Sequence, residues 1–178
     1  MWLFAAALVL WTLGASGYLT GTLAGWVAAP IKAVAAYLGF TVFHESVHRT
    51  AHRNSVINGA LGCLTALMLT VTYPVFRSCH LQHPAHTNDP ELDPDHSVAG
   101  TPGWLRPLWL LWTAVNYRIL CHRHKWGSVG SRRAQKALDA VLLLTVPVAI
   151  VTGHFWALNA RCWGPMLLAG LFLFYAFD

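Results

Sequence analysis

Residues 56–76, VINGALGCLTALMLTVTYPVF, are apolar enough to be taken for a membrane-spanning helix, and whether they cross decides the fold. A span needs roughly 17–25 residues, so length permits it. Asn58, two glycines and Pro74 stand against it, as do Arg53 and Arg77 close to its two ends. Two histidine clusters flank the stretch: HESVHRTAH, from His44 to His52, and HLQHPAH, from His80 to His86. A crossing would put them on opposite faces, where they could not share a metal ion. The site argument therefore predicts a segment that dips into the bilayer and returns to the side it left.

The wider composition agrees with a membrane protein. Of 178 residues, 56% are hydrophobic and 11% charged, against about 25% charged in soluble domains, and the mean hydropathy is positive. The formal charge of +5 is scattered between apolar segments. That distribution suits loops at a membrane surface and argues against nucleic-acid binding. Four cysteines show no CxxC or metal-knuckle spacing, which argues against structural disulfides. The N-terminus lacks a basic leader and another apolar run follows at once, so it reads as a retained anchor.

Around the central stretch lie apolar runs at 2–20, 23–43, 105–121, 138–158 and 162–177. The first two meet across Thr20-Gly21-Thr22 and predict a helical hairpin. Lys32, inside the second, needs a partner or a shifted helix. Runs 138–158 and 162–177 predict a second hairpin. The run 105–121 carries Arg106, Asn116 and Arg118 and predicts an interfacial helix. The expected fold is all-α and integral to the membrane, with two transmembrane hairpins, interfacial helices and a histidine-rich site. Nearly all arginines and lysines then share one side and only Arg161 is clearly opposite, so the histidines are expected to face the cytoplasm.

Residues four apart share a helix face, and so do residues three apart. His44, His48 and His52 predict one stripe; His80, His83 and His86 predict another. Imidazole suits iron and zinc. Asp89, Asp93 and Asp95 offer acceptors for imidazole N–H groups. His96, His122 and His124 read as loop histidines, of which His124 can still approach the site, and His154 as structural. HESVH also fits HExxH, the pattern of a membrane zinc protease in which Glu45 is the general base.

The two clusters carry a resemblance. His44 and His48 are similar to the first HxxxH box of the membrane fatty acid desaturase superfamily, which includes acyl-lipid desaturases and carotenoid hydroxylases. His80 and His83 resemble the start of its HxxHH box, and HTNDPELDPD resembles a tail common in bacterial members. The likeness covers roughly residues 20–178. It implies a metal site on His44, His48, His80 and His83, with His52 and His86 as further candidates. It implies a di-iron centre that uses O2 to desaturate or hydroxylate a fatty acyl or isoprenoid chain. It also implies an electron donor of ferredoxin, rubredoxin or cytochrome type at the basic cytoplasmic face, and a bacterial inner membrane.

Two departures qualify the expectation. Pro84 stands where the family has a second, adjacent histidine. The family's third box would follow Asp178, so 1–178 reads as one desaturase-like membrane domain, C-terminally incomplete, whose activity as it stands is open. A metal-binding membrane protein without catalysis is the remaining alternative.

Overall fold

The computed structural model describes residues 1–96, 101–102, 104–159, 164–165 and 167–169. Its elements there are all helical: α1 (Trp2–Leu19), α2 (Gly25–Val47), α3 (Ser55–Met68), α4 (Tyr73–His80), α5 (Gln82–Ala85), α6 (Arg106–Arg123), α7 (Val129–Val151) and α8 (Phe155–Leu158). Three of them, α1, α2 and α7, are long and apolar enough to cross a membrane.

Helices α1 and α2 are joined by a short turn and pack along each other. Gly14 lets the backbones approach, since a Cβ there would meet Lys32 and the carbonyl oxygen of Ala28. Small residues commonly serve this purpose between membrane helices. Lys32 is buried, and its ammonium lies 4.6 Å from the centroid of the Trp11 ring. This cation–π contact answers the demand that its position in an apolar run raises.

The deciding stretch is two helices. α3 ends at Met68, α4 begins at Tyr73, and the pair bends by 100°. Thr70, with φ +52°, turns the chain in the left-handed region, which a β-branched residue seldom adopts. Tertiary bonds hold the turn. The backbone N–H and hydroxyl of Thr72 both donate to Gln135 Oε1 at 2.8 Å. Gln135, fully buried in α7, donates onward to Asp139 Oδ1. Arg118 of α6 donates to the same Asp139 oxygen at 2.8 Å and to Thr70 O at 3.4 Å. One polar ladder thus fixes the bend against α6 and α7.

Two small cores position α4. Phe43 and Val47 of α2 pack with Ala66 of α3, and Tyr73 and Phe76 cover them. Val75 and Cys79 pack with Cys121 of α6 beside Tyr117 and Trp126. α4 is therefore wedged between α2 and α6, and its last residue, His80, faces the end of α2.

Several boundaries differ from the sequence reading. α7 starts at Val129, where the Ser128 hydroxyl accepts from Ser131 N, and its basic first turns extend it beyond the apolar run. It stops at Val151, ahead of a left-handed Gly153. The partner run of the second hairpin, 162–177, lies almost wholly outside the described residues, as does Arg161. Cys63, Cys79 and Cys121 are free thiols; Cys162 lies outside the described residues.

Candidate metal centre

His44 sits in the last turn of α2, His48 is its C-cap, and His80 closes α4. One ring nitrogen from each lies within 4.8 Å of the other two. The rings are 4.7, 4.8 and 5.2 Å apart between centroids, and His48 Nε2 approaches His80 Nε2 at 3.2 Å. Two imidazoles on one first-row metal, with bonds of ~2.1 Å and an angle between 90° and tetrahedral, place their nitrogens ~3.0–3.4 Å apart. The pair already has that spacing, so these residues fit a metal ion.

The surroundings of His80 favour its ligand form. Burial, followed by the charges that His44, His48 and His83 would carry, pushes its pKa down to about 3. The ring is therefore neutral at physiological pH, as ligation requires. Phe76 stacks on it at 5.4 Å. Tyr117 of α6 donates its hydroxyl to Asp95 Oδ2 at 2.9 Å, so its oxygen is left to accept from His80 Nδ1 at 3.4 Å. With the proton on Nδ1, Nε2 keeps its lone pair toward His48. Burial and then Asp95 raise the Tyr117 pKa well above the usual phenol range, so the phenol remains a donor.

A second group lies beside the first. His83 Nδ1 meets Asp93 Oδ1 at 2.7 Å and Asp95 Oδ2 at 3.5 Å. Burial alone would raise the Asp93 pKa, but the bonds from His83 and from the backbone N–H groups of Asp95 and Asn88 outweigh it, and the net shift is downward. Asp93 therefore stays ionised, orients His83 and leaves its Nε2 as the unprotonated nitrogen. For Asp95, burial prevails over the bond from Tyr117 and the nearby charge of a protonated His83, and its pKa rises. Asn116 donates to Pro94 O and helps clamp this acidic loop to α6.

The six histidines named from sequence are thus distributed unequally. His44, His48 and His80 converge. His83 turns to the aspartates because α4 ends at His80 and α5 begins afresh at Gln82. His52 lies outside both groups, in the turn after α2, where its Nδ1 accepts from Asn54 N at 2.9 Å. That bond places its proton on Nε2. His86 caps α5 and belongs to neither group. Pro84 is exposed within α5. Asp89 caps the loop through the N–H groups of Glu91 and Leu92. Glu45 is exposed, 3.9 Å from His44 Nδ1, and its carboxylate accepts from the Thr50 hydroxyl. His124 stacks on Trp126, and its Nε2 and the Nδ1 of His96 are buried with no hydrogen-bond partner among the described residues.

Tyr117 is the site residue that the sequence reading missed. A single tyrosine in a Trp- and Leu-rich run looks like an interfacial aromatic, and its value depends on Asp95, far from it in the chain.

Comparison with known proteins agrees with this geometry. The family model for fatty acid desaturases matches residues 20–178. An acyl-lipid (7-3)-desaturase of Diacronema lutheri is 31% identical over 113 residues, covering 58% of this chain and 25% of that protein. The match thus spans a quarter of that relative's length. No solved structure matches the chain.

Proposed function

The chain belongs to the fatty acid desaturase family, and from that premise we propose that it holds iron on His44, His48 and His80 and serves an O2-dependent desaturation or hydroxylation of a lipid hydrocarbon chain. The observation that carries this reading is the convergence of three imidazoles from two distant segments, made possible by the 100° bend. His83, oriented by Asp93, is the next candidate ligand, at the edge of a second metal position. His52 and His86 remain outer candidates, each needing a rearrangement of its turn.

When bound, iron supplies the oxidising power to remove hydrogen from an unactivated C–H bond. The protein's own residues supply the rest. Tyr117 and Asp95 hold the proton of His80 on Nδ1, Asp93 does the same for His83, and Phe76 fixes the plane of the His80 ring. The apolar faces of α1, α2 and α7 place the reaction beside lipid. Exposed Arg123, Lys125, Arg133 and Lys136 suit an acidic electron carrier on the face that the positive-inside rule makes cytoplasmic.

Metal analysis tests the reading. The purified chain in detergent should take up iron, and His80→Ala, a conservative truncation at a helix end, should lose most of it while remaining membrane-inserted. Full iron content in His80→Ala would remove this site from consideration. Zinc retained in preference to iron, with peptide hydrolysis dependent on Glu45, would favour the protease chemistry instead.

A further inference from the structure

A cavity of about 630 Å³ opens at the junction of α2, α3 and α4, on the side of His48 that leads into the next turn. Arg49, Arg53 and Arg77 line it, with Ser55, Ser78 and His52, and its lining contains no carboxylate. Arg49 and Arg53 are exposed, and among the described residues neither guanidinium has a hydrogen bond or ion pair. The nearest acid in sequence, Glu45, is engaged by Thr50.

The walls are fixed in advance. Ser46 O accepts from both Asn58 Nδ2 at 2.8 Å and the Tyr73 hydroxyl at 2.7 Å. Arg77 Nε donates to Val47 O at 3.0 Å, which sets the guanidinium at the cavity wall. His52, accepting at Nδ1, presents Nε2 as a donor. Ser55 opens α3, so the positive end of that helix adds to the field. Three guanidiniums, the Ser55 hydroxyl, His52 Nε2 and a helix start form a donor-rich cup, the chemistry that recognises a phosphate, while the Ser78 hydroxyl is spent on Pro74 O.

The cup continues into an apolar surface. On α3, Val56, Leu64 and Leu67 are 77%, 50% and 75% exposed, and their spacing places them along one helix face. Val56 follows the lining residue Ser55 on α3, so a phosphate in the cup has hydrocarbon-compatible surface beside it. We infer that this junction is a docking site for an anionic glycerophospholipid, with its phosphate on Arg49, Arg53 and Arg77 and its acyl chain along the exposed face of α3. Binding stands independently of the iron reading. Only the further consequence, that the docked lipid presents its chain to His44, His48 and His80, rests on it.

The test uses the full chain in neutral detergent, without added iron, and native mass spectrometry of lipid adducts. Dimyristoyl phosphatidic acid is the probe, and dimyristoyl glycerol and inorganic phosphate are the comparison ligands. Phosphatidic acid should bind, and diacylglycerol and free phosphate should bind far more weakly. Arg49→Gln with Arg53→Gln should weaken phosphatidic acid at least about tenfold, as loss of charge-assisted hydrogen bonds implies. Ser55→Asp is the second variant. An acid in the first helical turn is favourable for folding, yet it sets a negative charge at the cavity, so lipid should be lost from a stable protein. Arg133→Gln with Lys136→Gln removes the same charge elsewhere and should leave binding intact. Equal binding of diacylglycerol or of free phosphate would overturn the proposal. So would full binding by the Arg49/Arg53 or Ser55→Asp variants, or an equal loss in the Arg133/Lys136 control.

Discussion

Tyr117→Phe removes one oxygen from the link between His80 and the acidic loop and leaves the ring in place. The stack of Phe76 on Tyr117, 5.5 Å between centroids, survives, so core packing is nearly unchanged. Two bonds disappear: one to Asp95 at 2.9 Å and a longer one to His80 Nδ1 at 3.4 Å. A bond to an ionised carboxylate contributes ~1.5–3 kcal/mol, and a long neutral one ~0.5 kcal/mol. The folding cost falls mainly on Asp95, which retains only its 3.5 Å approach to His83. The metal-binding cost falls on His80, whose ring can then turn and change tautomer. Loss of such outer partners lowers metal affinity by about 10–100-fold, equivalent to ~1.4–2.8 kcal/mol. Cobalt(II) or iron(II) titrated against a competing chelator would read this directly, beside thermal melts of the metal-free protein. Asp95→Asn keeps an acceptor for the phenol and should lose less affinity than Tyr117→Phe; the reverse order would make His83 the affected ligand. Wild-type affinity in Tyr117→Phe would refute the tautomer argument.

Three further outcomes follow from the geometry. Gln135→Leu should destabilise the protein by ~1–2 kcal/mol, because the half-buried N–H and hydroxyl of Thr72 lose their acceptor, and limited proteolysis should find new cleavage near residues 69–72. Gly62→Ala would press a Cβ into the Tyr73 ring, and overpacking of that kind costs ~1–3 kcal/mol, measurable as a lower melting temperature. The last concerns pH. His80 titrates at about 3 when folded, against a reference of 6.5. Above 6.5 it is neutral in both states and has no effect. As pH falls from 6.5 toward 3, the unfolded chain binds a proton that the folded one refuses. Metal-free stability should then drop by at most ~1.4 kcal/mol per pH unit, and His80→Leu should flatten that slope.

The sequence made the meeting of the clusters legible, because histidines three and four apart beside apolar runs have few other uses. It did not make the helix ends legible. α2 ends in a paired-bond cap, with Arg49 N donating to Ser46 O and Thr50 N to Glu45 O. Its left-handed residue is Arg49, with φ +63°. Glycine normally marks that position. Thr70 and Lys125, with φ +52° and +57°, follow α3 and α6 in the same way and carry no glycine signal either. A stripe through His52 and a shared face for His80 and His83 both assumed helices that continue. Glycine does mark the left-handed turns at Gly21, between α1 and α2, and at Gly153, where α7 stops short of the end of its apolar run. Thr70 could not have been found locally, since its conformation depends on Gln135, Asp139 and Arg118 from two other helices.

These early stops also shape the electrostatics of the site. Had α2 continued through His52, the carbonyls at its end would point away from the imidazoles, and they would do so again had α4 run on through His83. Instead both helices terminate where His48 and His80 meet. The negative end of a helix dipole lies at its C-terminus and favours a nearby cation, although at α2 it is partly answered already, by Asn58 and Tyr73 on Ser46 O and by Arg77 on Val47 O. The opposing influence is the cluster of Arg49, Arg53 and Arg77, which lies within a turn or so of His48 and His80 in sequence. An anion bound among those guanidiniums would screen them from a metal on the imidazoles. Metal and phospholipid should therefore bind with positive coupling, each raising the other's affinity by the same factor, as linkage requires. Chelator-based cobalt titrations with and without phosphatidic acid measure that factor. A value of one would show that the two sites do not sense each other, and a value below one would mean that the lipid competes for the imidazoles.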